Sequence, residues 1–283
     1  MLTFSTSPGP IAYDSTGHGD SIVFLPSGGH DHHDYDELRN LLPDRFRSIS
    51  VDWPGHGEAP AWPGPINEVQ LTGAVQELLE SLCPDGAVLV GNSIGGNVAA
   101  RIAITRPDLV KGLMVIDGGG FEGSQLSGRV FCSLMSRPAF VRRIYPLFSK
   151  AYVRPTTEAD NRARASAIAI TRTPTGVKVV SEMWHSFNLP EHDLRAQASQ
   201  ISAPTVLVWG RRDPVLPIRA GETANELIPG SKLVVVDSGH LPHTTKPAAV
   251  AEELTSLADS AFGTGKPVGE TQPTSLLGKD VQR

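Results

Sequence analysis

Gly91-Asn92-Ser93-Ile94-Gly95-Gly96 decides the fold of this chain, because an apolar run, Ala87-Val88-Leu89-Val90, leads into it and a helix-like segment, Asn97 to Thr105, leads out. Buried strand, sharp turn and helix in that order form the setting of a nucleophile elbow. Such a turn pushes a serine hydroxyl out at the sheet edge, with a helix N-terminus behind it. The flanking glycines fit the same geometry, since side chains there would clash with the neighbouring strand or helix. Taken alone, Gly-x-Ser-x-Gly is a weak pattern, and its plain structural alternative is a serine that caps a helix.

Two segments further on strengthen it. Pro204-Thr205-Val206-Leu207-Val208-Trp209-Gly210 reads as a buried strand and delivers Asp213 in the loop that follows. A helix-like stretch from Ile218 to Leu227 precedes a second apolar strand, Lys232 to Val236, which ends in Asp237-Ser238-Gly239-His240. Serine, acid and histidine therefore occur in that order, each just past the C-terminal end of a predicted strand. That is where an open α/β sheet collects its functional groups. Asp117, at the end of Leu113-Met114-Val115-Ile116, competes with Asp213 for the acid, and His243 competes with His240. Asp213 is preferred for its strand-end loop and His240 for following the Ser-Gly turn, which leaves His243 to structural hydrogen bonds.

Through these residues the chain resembles the lid-bearing, cofactor-independent α/β-hydrolases, which include many esterases, lactonases and carbon–carbon bond hydrolases. The resemblance runs from about Ile11 to Ala261. It includes Val51-Asp52-Trp53-Pro54-Gly55-His56-Gly57, similar to the family's Asp-x-Pro-Gly-His-Gly loop, and Ser238-Gly239-His240-Leu241-Pro242-His243, similar to its histidine loop. His56 matches a residue whose family role is to hold its own loop. One departure stands out: after the strand Ile22 to Leu25, where relatives carry His-Gly, this chain has Pro26-Ser27 and then Gly28-Gly29. The fold implied is a mostly parallel central sheet flanked by helices, with a helical cap inserted after the sixth strand. Residues 1–120 and 198–262 would form the core, 121–197 the cap, and 263–283, polar and rich in glycine and proline, a flexible tail.

Pattern along the chain supports the same architecture. Short apolar runs, Ser21 to Leu25, Ser48 to Val51, Ala87 to Val90, Leu113 to Ile116, Thr205 to Trp209 and Leu233 to Val236, alternate with helical periods. Ile66, Val69, Val75, Leu78, Leu79 and Leu82 form one helical stripe, and Val250, Leu254, Leu257 and Ala261 another behind Pro247. Between Phe121 and Gln197 the alternation stops, and large apolar residues lie among arginines and prolines. Met135, Trp184 and Phe187 are the candidates there for lining a substrate pocket, the others holding the lid together.

Length and composition set limits. With 283 residues, one large α/β domain with an insertion buries an independent core. A net charge of −5 supplies no basic face for phosphate contacts, so nucleic acid is not an expected partner. No secretory signal opens the chain and no apolar run is long enough to cross a bilayer, so a cytoplasmic enzyme acting on a small molecule is the expectation, as monomer or homodimer. Cys83 and Cys132 lack disulfide-framework or metal-ligand spacing and are read as structural.

The chemistry these residues imply is acyl transfer. His240 would take the Ser93 proton and Asp213 would orient the imidazole. The backbone N–H of Ile94 would stabilise the oxyanion together with that of Gly28, the latter by alignment with the family loop. A carboxylic ester, lactone or thioester is the expected substrate, without cofactor. Carbon–carbon bond hydrolysis is the alternative, because Gly-Asn-Ser-x-Gly-Gly resembles that elbow, although Leu241 replaces the tryptophan usual after the histidine. A metal-dependent hydrolase is a weaker rival. His30-Asp31-His32-His33-Asp34 resembles part of His-x-His-x-Asp-His, but Tyr35 takes the final histidine position and no later ligand set follows. A non-catalytic ligand-binding homologue is the remaining possibility.

Overall fold

A computed structural model describes residues 1–123 and 126–263. Eight strands form one sheet: β1 (Leu2–Phe4), β2 (Ile11–Thr16), β3 (Asp20–Leu25), β4 (Phe46–Asp52), β5 (Ala87–Asn92), β6 (Val110–Ile116), β7 (Thr205–Gly210) and β8 (Lys232–Val236). Their order is β1-β2-β4-β3-β5-β6-β7-β8, with β2 antiparallel to β4 and every pairing from β4 through β8 parallel. The six apolar runs seen in the sequence correspond to β3 through β8. The first two strands carried no comparable signal, because β1 is an exposed edge and β2 is buried only over Ile11, Ala12 and Tyr13.

The central strands are apolar throughout because both faces are covered. Val23, Leu25, Leu89, Leu113, Val115, Leu207 and Trp209 point to one side, against α2 (Glu68–Leu82) and α3 (Ile94–Thr105). Ile22, Phe24, Val88, Val90, Met114, Ile116, Val206 and Val208 point to the other, against α10 (Pro247–Phe262). The side-chain period of two thus partitions a continuous apolar run into two cores. The stripe expected on α2 needs one correction. Val69 is 46% exposed, and Leu71 takes the buried position, because the helix starts at its Asn67 cap with a phase that turns Val69 outward.

The remaining helices are α1 (Asp36–Arg39), α4 (Leu126–Met135), α5 (Pro138–Val153), α6 (Glu158–Arg172), α7 (Pro174–Ser186), α8 (Ile218–Leu227) and α9 (Pro242–Thr245). Helices α4 to α7 lie between β6 and β7 and bury a cluster of their own, including Met135, Val141, Tyr145, Tyr152 and Val180. A capping box starts α6, in which Thr157 and Asp160 satisfy each other's backbone N–H. Asp160 also accepts from the Thr244 and Thr245 hydroxyls at 2.7 and 2.8 Å, which ties this insert to the segment after β8. Among the described residues no helix is long and apolar enough to cross a membrane. The flexible tail expected after Phe262 lies outside the described residues, apart from Gly263, which ends α10 in the left-handed conformation.

Candidate active site

Ser93 sits where β5 gives way to α3, with φ 57° and ψ −116°. A left-handed φ on a non-glycine residue is strained and persists only where its surroundings enforce it. Here they do so by close approach: a Cβ at Gly91 would overlap the Gly95 carbonyl, and one at Gly95 would overlap that of Leu25. The Ser93 backbone is pinned on both sides, its N–H donating to Ile116 O and its carbonyl accepting from Gly119 N, both at 3.1 Å. Ser93 is the N-cap of α3 by position but makes no side-chain cap hydrogen bond, which leaves its hydroxyl unclaimed by the helix.

His240 and Asp213 are joined, with Nδ1 of the imidazole 2.6 Å from Oδ2 of the carboxylate, both side chains buried. The other Asp213 oxygen accepts from Val215 N at 2.7 Å, which fixes the carboxylate plane. Asn92 explains its place before the serine. Its Nδ2 donates to Ile116 O at 2.9 Å and to His240 O at 3.1 Å, so the elbow residue itself holds the histidine loop. From the insert, Tyr152 O accepts the His240 N–H at 2.9 Å.

Asp117 turns out to be neighbour rather than rival to this pair. It adopts φ 40° at the end of β6, accepts from Gly210 N at 2.9 Å, and has an oxygen within 4.8 Å of chosen polar atoms of Asp213 and His240. Burial, followed by the adjacent Asp213 charge, pushes its carboxyl well above the ordinary range. His243 does not make the hydrogen bonds expected of it. Both ring nitrogens lack a partner, burial holds it neutral with a pKa of about 3, and it stacks on Tyr35 with ring centres 4.5 Å apart.

Gly28 precedes Gly29, whose N–H donates to His56 Nε2 at 2.9 Å, while His56 Nδ1 donates to Pro54 O at 2.9 Å. Burial lowers the His56 pKa to about 4, consistent with a neutral ring that accepts at one nitrogen and donates at the other. Trp53 Nε1 reaches Pro26 O at 2.7 Å, so the Pro26-Ser27 segment that departs from the family pattern is anchored by the loop after β4. Ile94 is the first residue of α3, and its N–H has no acceptor within the helix.

Two cavities meet at Ser93. The smaller, about 20 Å³, is lined by Gly28, Ser93, Tyr145, Tyr152, Met183 and His240 among others. The larger, about 760 Å³, includes Ser93, Ile94, Phe131, Cys132, Leu189 and His192. Trp184 and Phe187 line both. Met135 lines neither. It is fully buried inside the helical insert, because the face of α4 that carries it turns toward α5 and α7, and Met183 is the methionine at the pocket.

The metal-like segment is taken apart by the fold. His30 and Asp34 pair with each other while His32 pairs with Asp52, so the three residues in register do not converge on one point. Among the described residues the one cluster with converging metal-type ligands is Asp117, Asp213 and His240, which the carboxylate–imidazole pair already occupies.

One further buried histidine, His192, carries no signal in the sequence. His192 lies between two carboxylates, Nδ1 2.7 Å from Glu68 Oε1 and Nε2 2.7 Å from Glu122 Oε1, clasping α2 to both ends of the insert. Burial opposes its charge, but Glu122 and Glu68 outweigh it and raise its pKa to about 10. A pKa above the unfolded value of roughly 6.5 stabilises the fold fully below that value and loses the contribution as pH climbs toward 10. Thermal denaturation should therefore show Tm falling between pH 7 and pH 10, by on the order of 5 °C, more in the wild type than in His192→Gln. Parallel profiles for the two proteins would contradict the clasp.

Comparison with known proteins agrees with the architecture. Residues 22–253 match the model of the alpha/beta hydrolase family, and the chain belongs to that family. Pimeloyl-[acyl-carrier protein] methyl ester esterase of Vibrio cholerae is 26% identical over 259 residues, covering 88% of this chain and 98% of that protein. An uncharacterized protein of Mycobacterium tuberculosis is 24% identical over 277 residues, covering 88% of this chain and 78% of its own. Among solved structures, a thermophilic esterase from Thermogutta terrifontis superposes with a TM-score of 0.79 at 23% identity, covering 92% of this chain and 98% of that one. The enol-lactonase from Burkholderia xenovorans gives 0.78 at 20%, covering 90% and 99%.

Proposed function

We propose that this protein is a serine hydrolase that cleaves small, largely apolar carboxylic esters, or the related lactones and thioesters, through an acyl-enzyme. The observation that carries the reading is the 2.6 Å pairing of His240 with Asp213 at a compartment that His240 shares with Ser93. His240 takes the Ser93 proton as Oγ attacks the carbonyl carbon, and Asp213 stabilises the imidazolium that forms. Negative charge collects on the former carbonyl oxygen, where the N–H groups of Ile94 and Gly28 donate. His240 then returns its proton to the departing alcohol, and water attacks the acyl-enzyme with the same imidazole as base. Helices α4 to α7 act as a cap that excludes water from these steps. Relatives that are methyl ester esterases lend the ester-bond reading further support.

Pocket chemistry narrows the substrate. Trp184, Phe187, Phe131 and Phe148 make the walls mostly apolar, which suits a neutral ester better than a polyanion. The test is a panel of phenyl esters, lactones, thioesters and a vinylogous diketone, assayed with and without a chelator. Ester turnover indifferent to chelator supports the proposal. Chelator-sensitive turnover, or cleavage of the diketone alone, would replace it.

A further inference from the structure

The motif His30-Asp31-His32-His33-Asp34, which the serine chemistry does not use, supplies an imidazole–carboxylate pair behind Tyr152 in the wall of the same small compartment. His30 Nδ1 lies 2.5 Å from Asp34 Oδ2. Its other nitrogen, Nε2, is 2.6 Å from the Tyr152 hydroxyl, and Tyr145 places its own hydroxyl 3.3 Å from that of Tyr152. All four side chains are buried. Tyr152 and Tyr145 both line the compartment that holds Ser93 and His240, and the Tyr152 ring stands edge-on to His240 with centres 5.8 Å apart. We propose that the Tyr152 hydroxyl, oriented by His30 and Asp34, is a hydrogen-bonding subsite for a second oxygen of the substrate, one beyond the scissile ester group.

Hydrogen-bond accounting supports this. A phenol oxygen accepts two hydrogen bonds and donates one. With His30 donating from Nε2 at 2.6 Å and Tyr145 donating at 3.3 Å, both lone pairs of Tyr152 are taken and its proton is left for a third partner. Burial works against the His30 charge, but Asp34 outweighs it and the pKa rises. A buried ion pair is weak evidence for stability, since apolar residues of similar volume often serve as well or better. Setting one behind a pocket phenol is therefore better explained by recognition than by packing. Gly29 belongs to the same arrangement, because a Cβ there would overlap the Tyr145 hydroxyl.

Compartment size limits the ligand. About 20 Å³ accommodates a group near the size of one water, so the second oxygen belongs on a short arm close to the scissile carbonyl, while the bulk of the substrate takes the 760 Å³ cavity. The class is thus a short oxygenated ester, one arm carrying a keto or hydroxyl oxygen. This subsite rests on the serine-hydrolase reading, and two matched comparisons separate the two.

Phenyl acetoacetate against phenyl butyrate tests an oxygen on the acyl arm, and acetonyl phenylacetate against propyl phenylacetate tests one on the alcohol arm. In one of these pairs the ratio of kcat/KM, oxygenated over plain, should fall roughly ten-fold in Tyr152→Phe, the worth of one lost hydrogen bond. Asp34→Asn should lower the same ratio, which guards against a local repacking peculiar to the phenylalanine. A role in packing alone would depress both members of a pair together. Unchanged ratios in both pairs overturn the subsite, whatever the absolute rates. Ser93→Ala reports separately on the reading beneath it: turnover retained there sinks the serine mechanism without reference to Tyr152.

Discussion

Ser93→Ala should lose roughly a million-fold in kcat on an activated ester, leaving only the rate that binding and the oxyanion donors supply. The size follows from the loss of the covalent route rather than of a single contact. Folding should survive, because the hydroxyl makes no cap hydrogen bond to α3 and the elbow is held by backbone bonds from Ile116 and Gly119. Steady-state rates and a denaturation curve measured together decide it. Activity lost along with stability would point to a structural serine, and activity retained would remove the nucleophile.

Asp213→Asn should lower kcat by roughly ten-thousand-fold, through the wrong imidazole tautomer rather than through lost geometry. An amide NH₂ facing His240 Nδ1 would favour the proton on Nε2, where the ring must instead accept from Ser93. Asp117→Asn gives the contrast. Its carboxyl accepts from Gly210 N rather than from His240, so an amide of the same shape leaves the His240–Asp213 pair in place, and the loss should be far smaller. Comparable losses in the two variants would mean that the two carboxyls share the work, and a greater loss at Asp117 would reverse their assignment.

The positions of Ser93, Asp213 and His240 were readable because each follows directly on an apolar run, so local pattern alone placed it at a strand end. The glycines beside Ser93 were readable for the same reason, since a tight turn announces itself in the residues that form it. Groupings built by tertiary approach left no such trace. Glu68, Glu122 and His192 come from three distant segments, and nothing near any one of them names the other two. Tyr145 and Tyr152 carried a usable hint, a seven-residue interval on one helix, as did the four-residue step from His30 to Asp34.

Misreadings have the same origin. Met135, taken in the sequence as a pocket residue, lies inside the insert, because the side of a helix that faces a pocket is set by its neighbours rather than by its own period. The structural hydrogen bonds expected of His243 are absent, because the fold leaves both its ring nitrogens without a partner and stacks the ring on Tyr35. Asp117 looked like an alternative to Asp213 in the sequence. Adjacent strands β6 and β7 bring the two carboxyls together, and burial with the Asp213 charge then pushes the Asp117 pKa up.

The most direct test of the central claim is covalent trapping. Incubation with a serine-directed fluorophosphonate, followed by intact-mass and peptide mass spectrometry, should give one adduct per chain, on the peptide containing Ser93, with activity lost in proportion. No adduct, or an adduct on another residue while the protein still turns over ester, would contradict the assignment of Ser93 as the nucleophile.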